Sequence, residues 1–160
     1  MKKLLVIAIT ALGIQFNATA QPRIGSNAPE IALPSENGQI TSLSSLKGKV
    51  VLLDFWASWC GPCRKTNKQV QPIYKKYKDK GFEIFSVSVD ASRPAWLNAV
   101  KQDNIVWPHV IDTRAATGNQ LTNVWNIRYI PSTFLIDKEG KIAAIGPEGN
   151  ELEKLLKEML

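Results

Sequence analysis

The segment Trp56-Ala57-Ser58-Trp59-Cys60-Gly61-Pro62-Cys63 contains both cysteines of the 160-residue chain and separates two different patterns. Before it, residues 50–56 form an apolar run interrupted by one acid, which is typical of a strand buried on both faces of a mostly parallel sheet. After it, apolar residues recur at helical spacing over residues 63–80. The sequence therefore predicts a strand, a turn and a helix, with the cysteines where the helix begins.

This position favours a reactive role for the two cysteines. Unpaired N–H groups and the helix dipole at a helix N-terminus stabilise a thiolate. We therefore expect Cys60 to be the attacking nucleophile and Cys63, one turn into the helix, to be the resolving thiol. A structural disulfide is one alternative, although cysteines three residues apart cannot join distant parts of the chain. Half of a zinc site is another, and it would need two more ligands where His109 is the one other soft candidate.

The rest of the chain alternates strands with helices. Strands are predicted at residues 82–89, 109–111, 132–137 and 141–145, and helices at residues 93–103, 117–126 and from a cap at Asn150 to the C-terminus. Residues 21–49 are predicted to be an N-terminal extension with several turns. Parallel strands with crossover helices, followed by a hairpin, imply an α/β fold with a mixed central sheet flanked by helices.

Residues 1–20 have the pattern of a secretory signal peptide. Lys2 and Lys3 precede an apolar stretch at residues 4–14, and Ala18-Thr19-Ala20 supplies the small residues of a cleavage site before Gln21. We expect a cleaved signal and a single domain at residues 21–160, exported to the periplasm or another extracytoplasmic space. The alternative is an uncleaved membrane anchor, for which the apolar stretch is short because a membrane span needs about 20 residues.

The charge pattern gives no indication of a nucleic-acid partner. Removal of residues 1–20 removes two lysines and no acid, which leaves 18 basic and 14 acidic residues and a net charge of +4. These charges are scattered, and no basic stripe interleaved with aromatic residues is present in the sequence. We therefore expect no nucleic-acid binding.

Two segments resemble the thioredoxin superfamily. Residues 54–63 resemble its active-site segment, and Ile130-Pro131-Ser132-Thr133-Phe134 resembles its cis-proline loop. The additional helix and strand at residues 93–111, with Ala28-Pro29 and Leu46-Lys47-Gly48-Lys49, favour the exported TlpA/ResA-type branch. The resemblance covers residues 24–160 and implies a thioredoxin fold with an N-terminal extension and an inserted α–β element.

The resemblance also implies roles for individual residues. Pro131 would lie opposite the active-site sulfurs and leave the backbone at Ile130 free to pair with a substrate strand. Asp54 would be buried with a raised pKa and would carry a proton for Cys63. The alternatives are an ordinary trans-proline and an acid that reaches water or a lysine. The surface that contacts substrate is expected to comprise Trp59, Gly61, Pro62 and Ile130.

Two positions depart from the TlpA/ResA pattern. Many members carry a glutamate three residues after the second cysteine, where Thr66 stands, and a proline two residues later, where Lys68 stands. The first departure weakens any inference of a role in cytochrome maturation that depends on this acid. The second concerns the bend of the helix, because the helix proline in this chain is Pro72.

The predicted activity is reduction of protein disulfides by the Cys60–Cys63 pair, without a bound cofactor. Gly61-Pro62 is the dipeptide of reducing thioredoxins. We expect a monomer that acts on protein disulfides and receives electrons from a thiol donor, either soluble or in the membrane. A thiol peroxidase is an alternative, although Ala57 stands where that chemistry usually needs a threonine. A binding module that delivers haem or metal is a second alternative.

Overall fold

The computed structural model describes residues 21–115 and 120–160, with Gln120 described by its backbone alone. The predicted signal peptide and the start of the predicted helix at 117–126 lie outside the described residues. The strands are β1 (Ala32–Pro34), β2 (Ile40–Ser42), β3 (Val50–Trp56), β4 (Phe82–Ser88), β5 (His109–Ile111), β6 (Ser132–Ile136) and β7 (Ile142–Ile145). The helices are α1 (Gly61–Tyr77), α2 (Arg93–Gln102), α3 (Gln120–Val124) and α4 (Gly149–Met159).

Strand β3 lies at the centre of a five-stranded mixed sheet of order β5-β4-β3-β6-β7. It pairs in parallel with β4 and antiparallel with β6, and all seven of its residues are buried. Burial on both faces explains its continuous apolar sequence, since neither set of alternating side chains reaches water. The predicted mixed sheet flanked by helices is therefore present.

Helices α1, α2 and α4 cover one face of this sheet. Val50, Leu52 and Trp56 of β3 point to this side, and they pack with apolar residues of all three helices. The helix residues in this core include Val70, Tyr74, Tyr77, Trp96, Ala99, Val100, Leu152 and Leu156. Apolar side chains three and four residues apart form the buried stripe of each helix. We refer to this side as the α1 face.

The N-terminal extension and α3 cover the opposite face. Ile31 and Leu43 pack there with Val51, Leu53 and Phe55 of β3. The extension crosses from one sheet edge to the other, because Asn27 bridges Lys141 beside β7 and Ser35 bridges Val110 in β5. The predicted extension is thus a structural layer of the domain that supplies part of its core.

The predicted cap of the last helix is wrong by two residues. Asn150 lies within α4, and the N-cap is Glu148, whose backbone is extended. The Glu148 carbonyl accepts hydrogen bonds from the N–H groups of Glu151, at 3.1 Å, and Leu152, at 3.4 Å. Local cap preference favours Asn, but the apolar contacts of α4 set where the helix begins.

None of the described helices has the length and apolar character needed to cross a membrane.

Truncation of Leu156 in α4 should destabilise the fold strongly. Leu156 is fully buried against α1, and Leu156→Ala leaves a cavity as well as removing apolar contacts. We expect a loss of about 2 to 5 kcal/mol in the free energy of unfolding, measured by urea denaturation. The exposed Lys154→Ala in the same helix is the control and should change this free energy by less than about 0.5 kcal/mol. Equal losses in the two variants would contradict the packing described for α4.

Candidate active site

The end of β3 and the start of α1 place the two cysteines together. They form a disulfide with an S–S distance of 2.02 Å and a Cα–Cα distance of 5.3 Å. Cys60 is the N-cap of α1, and its sulfur accepts a hydrogen bond from the Cys63 N–H at 3.2 Å. The Cys63 N–H and the positive end of the helix dipole therefore lie next to the Cys60 sulfur, where they favour negative charge.

Solvent exposure distinguishes the surroundings of the two cysteines. Both side chains are buried, Cys60 at 6% exposed and Cys63 at 1% exposed, so Cys63 lies slightly deeper in the core. Residues on either side of Cys60 form the surface: Trp59 is 70% exposed, and Gly61 and Pro62 are also exposed. A protein that approaches this surface meets the Cys60 side of the disulfide first.

The proline loop lies beside this surface. The Ile130–Pro131 peptide bond is cis, as the resemblance implies. Ile130 and Trp59 line a groove of about 240 Å³, so the loop and the cysteine segment share one cleft. Tyr129 also lines the groove, is 76% exposed, and was missed by the sequence analysis. Its position directly before Ile130 and Pro131 could have indicated that it belongs to this surface.

Asp54 is buried in the centre of the sheet on the α1 face. Its neighbours in register are Ser86 of β4 and Thr133 of β6, so a short polar row crosses the three central strands. Burial raises the pKa of Asp54 to about 7, and the Ser86 hydroxyl, which donates to Asp54 Oδ2 at 3.3 Å, opposes this rise. The carboxyl therefore changes its charge near neutral pH, as a group that exchanges protons must.

A buried carboxylate holds the turn before Cys60. Asp90 accepts hydrogen bonds from the Ser58 N–H at 2.9 Å and from the Ser58 hydroxyl at 2.7 Å. The Ser88 hydroxyl donates to Asp90 at 2.7 Å. Asp90 follows β4 and lies 32 residues from Ser58, so only the parallel pairing of β3 and β4 reveals this contact.

An ion pair fixes the other side of the turn. Arg64, the residue after Cys63, pairs with the buried Asp103 at the end of α2 and also donates to the Ser58 carbonyl at 3.2 Å. The hydrogen bond to Asp103 raises the pKa of Arg64. The positive charge nearest to the cysteines along the chain is therefore neutralised by a specific partner.

Comparison with known proteins identifies the family of this chain. The sequence profile of the redoxin family matches residues 23–160. The chain belongs to the redoxin family. It is 37% identical over 147 residues to the thiol-disulfide oxidoreductase ResA of Bacillus subtilis, an alignment that covers 89% of this chain and 80% of that protein.

Two solved structures are similar to this chain in both fold and sequence. The thioredoxin domain of a thiol-disulfide oxidoreductase from Bacteroides vulgatus has a TM-score of 0.78 and 34% identity, and covers 85% of this chain and 96% of its own. A thiol:disulfide interchange protein from Bacteroides sp. has a TM-score of 0.78 and 34% identity, and the alignment covers 86% of this chain and 90% of that protein. The predicted thioredoxin fold and the predicted enzyme class, thiol–disulfide oxidoreductase, are confirmed.

Two other residues singled out in the sequence make contacts within the fold. The Thr66 hydroxyl donates to the Pro62 carbonyl of its own helix at 3.3 Å. The ring of His109 packs edge-on against Trp96 with a centroid distance of 5.5 Å, and its Nδ1 contacts the Trp107 carbonyl. Within residues 21–115 and 120–160, no three His, Cys, Asp or Glu side chains are arranged to hold a metal ion.

The raised pKa of Asp54 should make stability depend on pH. The folded protein holds this proton up to about pH 7, whereas an unfolded chain releases it near pH 4. The resulting stabilisation is complete below about pH 4 and is lost as the pH rises to about 7. Asn cannot ionise, so the variant Asp54→Asn does not lose this stabilisation. Its free energy of unfolding relative to the wild type should therefore rise by about 2 to 4 kcal/mol from pH 4 to pH 8, measured by urea unfolding of the oxidised protein.

The exposed Asp79 provides the control for this experiment. Asp79→Asn should differ from the wild type by a similar small amount at both pH values. A difference between Asp54→Asn and the wild type that stays constant from pH 4 to pH 8 would show that Asp54 ionises as readily in the folded protein as in the unfolded chain.

Proposed function

We propose that this protein is an exported reductase of protein disulfides. The observation that carries the proposal is the Cys60 sulfur at the N-cap of α1, next to an exposed groove that the proline loop also lines. Reduced Cys60 attacks a substrate disulfide as a thiolate, and the first substrate thiol leaves. Cys63 then attacks Cys60 in the mixed disulfide, which releases the second substrate thiol and forms the Cys60–Cys63 disulfide. Two electrons and two protons pass to the substrate.

Asp54 is the proposed base for the second attack. Cys63 is buried, so bulk water has little access to its thiol proton. Asp54 lies on the α1 face of β3, the face against which Cys63 packs. A carboxyl with a pKa of about 7 is populated in both its protonated and its ionised form near neutral pH. This suits a group that accepts the Cys63 proton and later returns it.

The groove supplies the proposed contact with substrate. Trp59 and Tyr129 are exposed aromatic side chains, and the half-buried Ile130 lines the same groove and packs against the core. Gly61 and Pro62 continue this surface past Cys60. An extended substrate segment would pair with the backbone at Ile130, since Pro131 has no N–H to compete for acceptors.

The surroundings of Cys60 favour the reducing direction. Strong oxidants of this class stabilise their thiolate heavily, so that the reduced form is favoured. Here Gly61 and Pro62 supply no cation between the cysteines, and the charge of Arg64 is paired with Asp103. The thiolate therefore depends mainly on the helix N-terminus for stabilisation, which keeps the dithiol a good electron donor.

The proposed location and partners follow from the sequence. The signal-like segment at residues 1–20 supports export to the periplasm or an equivalent space. Electrons would reach the Cys60–Cys63 disulfide from a thiol donor, in the membrane or soluble. We propose that the enzyme acts as a monomer and needs no cofactor beyond this disulfide.

Substitution of the resolving cysteine should trap substrates. In Cys63→Ser, attack by Cys60 gives a mixed disulfide that the second step cannot release. Mass spectrometry of extracytoplasmic fractions should identify proteins bound to Cys60 through a bond that dithiothreitol breaks. Cys60→Ser is the matched control and should trap far fewer proteins, because Cys63 lies inside α1 and is less exposed than Cys60. Equal trapping by the two variants would reverse or remove the proposed division of roles.

The reduction potential tests the proposed direction. On a scale from about −270 mV for thioredoxin to about −120 mV for a strong oxidant, we expect a value nearer thioredoxin. The measurement equilibrates the protein in glutathione buffers and follows tryptophan fluorescence, because Trp56 and Trp59 adjoin the disulfide. A potential near that of the strong oxidant would make this protein a disulfide donor and end the proposal of a reductase.

A further inference from the structure

The inserted helix and strand bring a tryptophan to the buried carboxyl. Trp107 lies just before β5, is 1% exposed, and packs edge-on against Tyr74 of α1 with a centroid distance of 5.4 Å. Its indole Nε1 donates to the Ser86 hydroxyl oxygen at 2.8 Å. The Ser86 hydroxyl in turn donates to Asp54 Oδ2 at 3.3 Å. A chain of hydrogen bonds therefore runs from the insertion to the proposed base.

The chemistry of the donors gives this chain a direction. An indole N–H can only donate, and a serine hydroxyl has a single hydrogen. Because Ser86 accepts from Trp107, its own hydrogen remains for the carboxylate. We propose that Trp107 and Ser86 are positioning residues for Asp54, in which the indole N–H orients the Ser86 hydroxyl so that its hydrogen is donated to the Asp54 carboxylate and favours the ionised form. The importance of this contact for turnover rests on the function proposed above.

The other buried tryptophans show that this hydrogen bond is specific. Trp56, Trp96 and Trp125 are buried, and the indole N–H of each has no hydrogen-bond partner among the described side chains and backbone. Among the described buried tryptophans, Trp107 is thus the one whose indole N–H donates a hydrogen bond, and the acceptor is the serine that contacts Asp54. Trp96 is fully buried in the same core and provides a matched residue without this contact.

Other charged groups near Asp54 are engaged elsewhere. His109 of β5 lies in register with Ser86, and its ring contacts Trp96, the Trp107 carbonyl and the Glu36 carboxylate. On β4, Glu83 contacts Tyr74 of α1 and Lys49, and after β4 the carboxylate of Asp90 contacts Ser58. The other titratable groups on the buried side of α1 are Cys63 and Tyr77. The Arg64 side chain pairs with Asp103. Strand β6 carries no titratable side chain. Within residues 21–115 and 120–160, no Lys, Arg or His forms an ion pair with Asp54. Ser86 therefore supplies the hydrogen bond that favours the Asp54 carboxylate.

Loss of this hydrogen bond should raise the pKa of Asp54, because the bond favours the charged form. The experiment follows the carboxyl ¹³C signal of Asp54 against pH in the oxidised full-length protein, with Asp54→Asn to assign the signal. We expect the pKa to rise by about 0.5 to 1 in Ser86→Ala. In Trp107→Phe it should rise by less, because the hydroxyl remains but is no longer oriented. In Trp96→Phe, which removes a similar volume, it should not change.

The two tryptophan variants decide the outcome even where Ser86→Ala does not fold. An equal pKa of Asp54 in Trp107→Phe and Trp96→Phe, or an unchanged pKa in Ser86→Ala, would overturn the proposal. The titration does not depend on activity, so the proposed catalytic role of Asp54 can fail separately. It fails if Asp54→Asn resolves mixed disulfides at the wild-type rate, and the positioning role would still stand on the titration.

Discussion

Burial of β3 along its whole length is the constraint on which the site depends. The strand has a hydrogen-bonded neighbour on each side and a packed layer on each face, so its backbone cannot shift without disturbing both cores. Asp54 lies within it, Trp56 ends it, and the Cys60–Cys63 disulfide follows within one short turn. The position of both sulfurs is therefore set by the sheet, and the α1 N-terminus adds the local electrostatic field that favours a thiolate at Cys60.

Two buried acids then fix the turn itself. Asp90 binds the Ser58 N–H and hydroxyl from one side, and Arg64 ties the Ser58 carbonyl to Asp103 from the other. Only the Asp103 side of this ion pair is fully buried, and a carboxylate taken out of water is costly to desolvate, so the pair does not by itself indicate a stable fold. Its effect here is geometric: the turn that precedes Cys60 is held by partners that directly follow β4 and α2, and the arginine beside Cys63 is paired with one of them. The same contacts that position the disulfide also limit how strongly nearby charge can stabilise the Cys60 thiolate.

The sequence was sufficient for the parts of the site that lie in contiguous motifs. The adjacent cysteines, the burial of Asp54 and the cis Ile130–Pro131 bond could be predicted, because each is marked by residues next to it. Asp90, Asp103, Ser86 and Trp107 could not, because their partners lie 21 to 39 residues away and meet only through strand register and helix packing. The misplaced cap at Asn150 has a related cause, since a local preference there is weaker than the packing of α4.

In the proposed mechanism, the rate of thiol–disulfide exchange and the direction of electron flow depend on different residues. A carboxyl that titrates near neutral pH can accept a proton from Cys63 when the mixed disulfide resolves, and can return it when the disulfide is reduced again. If Asp54 is the base proposed above, the same group serves both directions, and it changes the rate of exchange without determining which way electrons flow. That direction depends on the relative stability of the dithiol and the disulfide, and hence on what surrounds Cys60: a helix N-terminus, a glycine and a proline, and an arginine already paired with Asp103. In the proposed mechanism, the hydrogen bonds around Asp54 therefore affect the rate of exchange, whereas the residues of the turn affect the reduction potential.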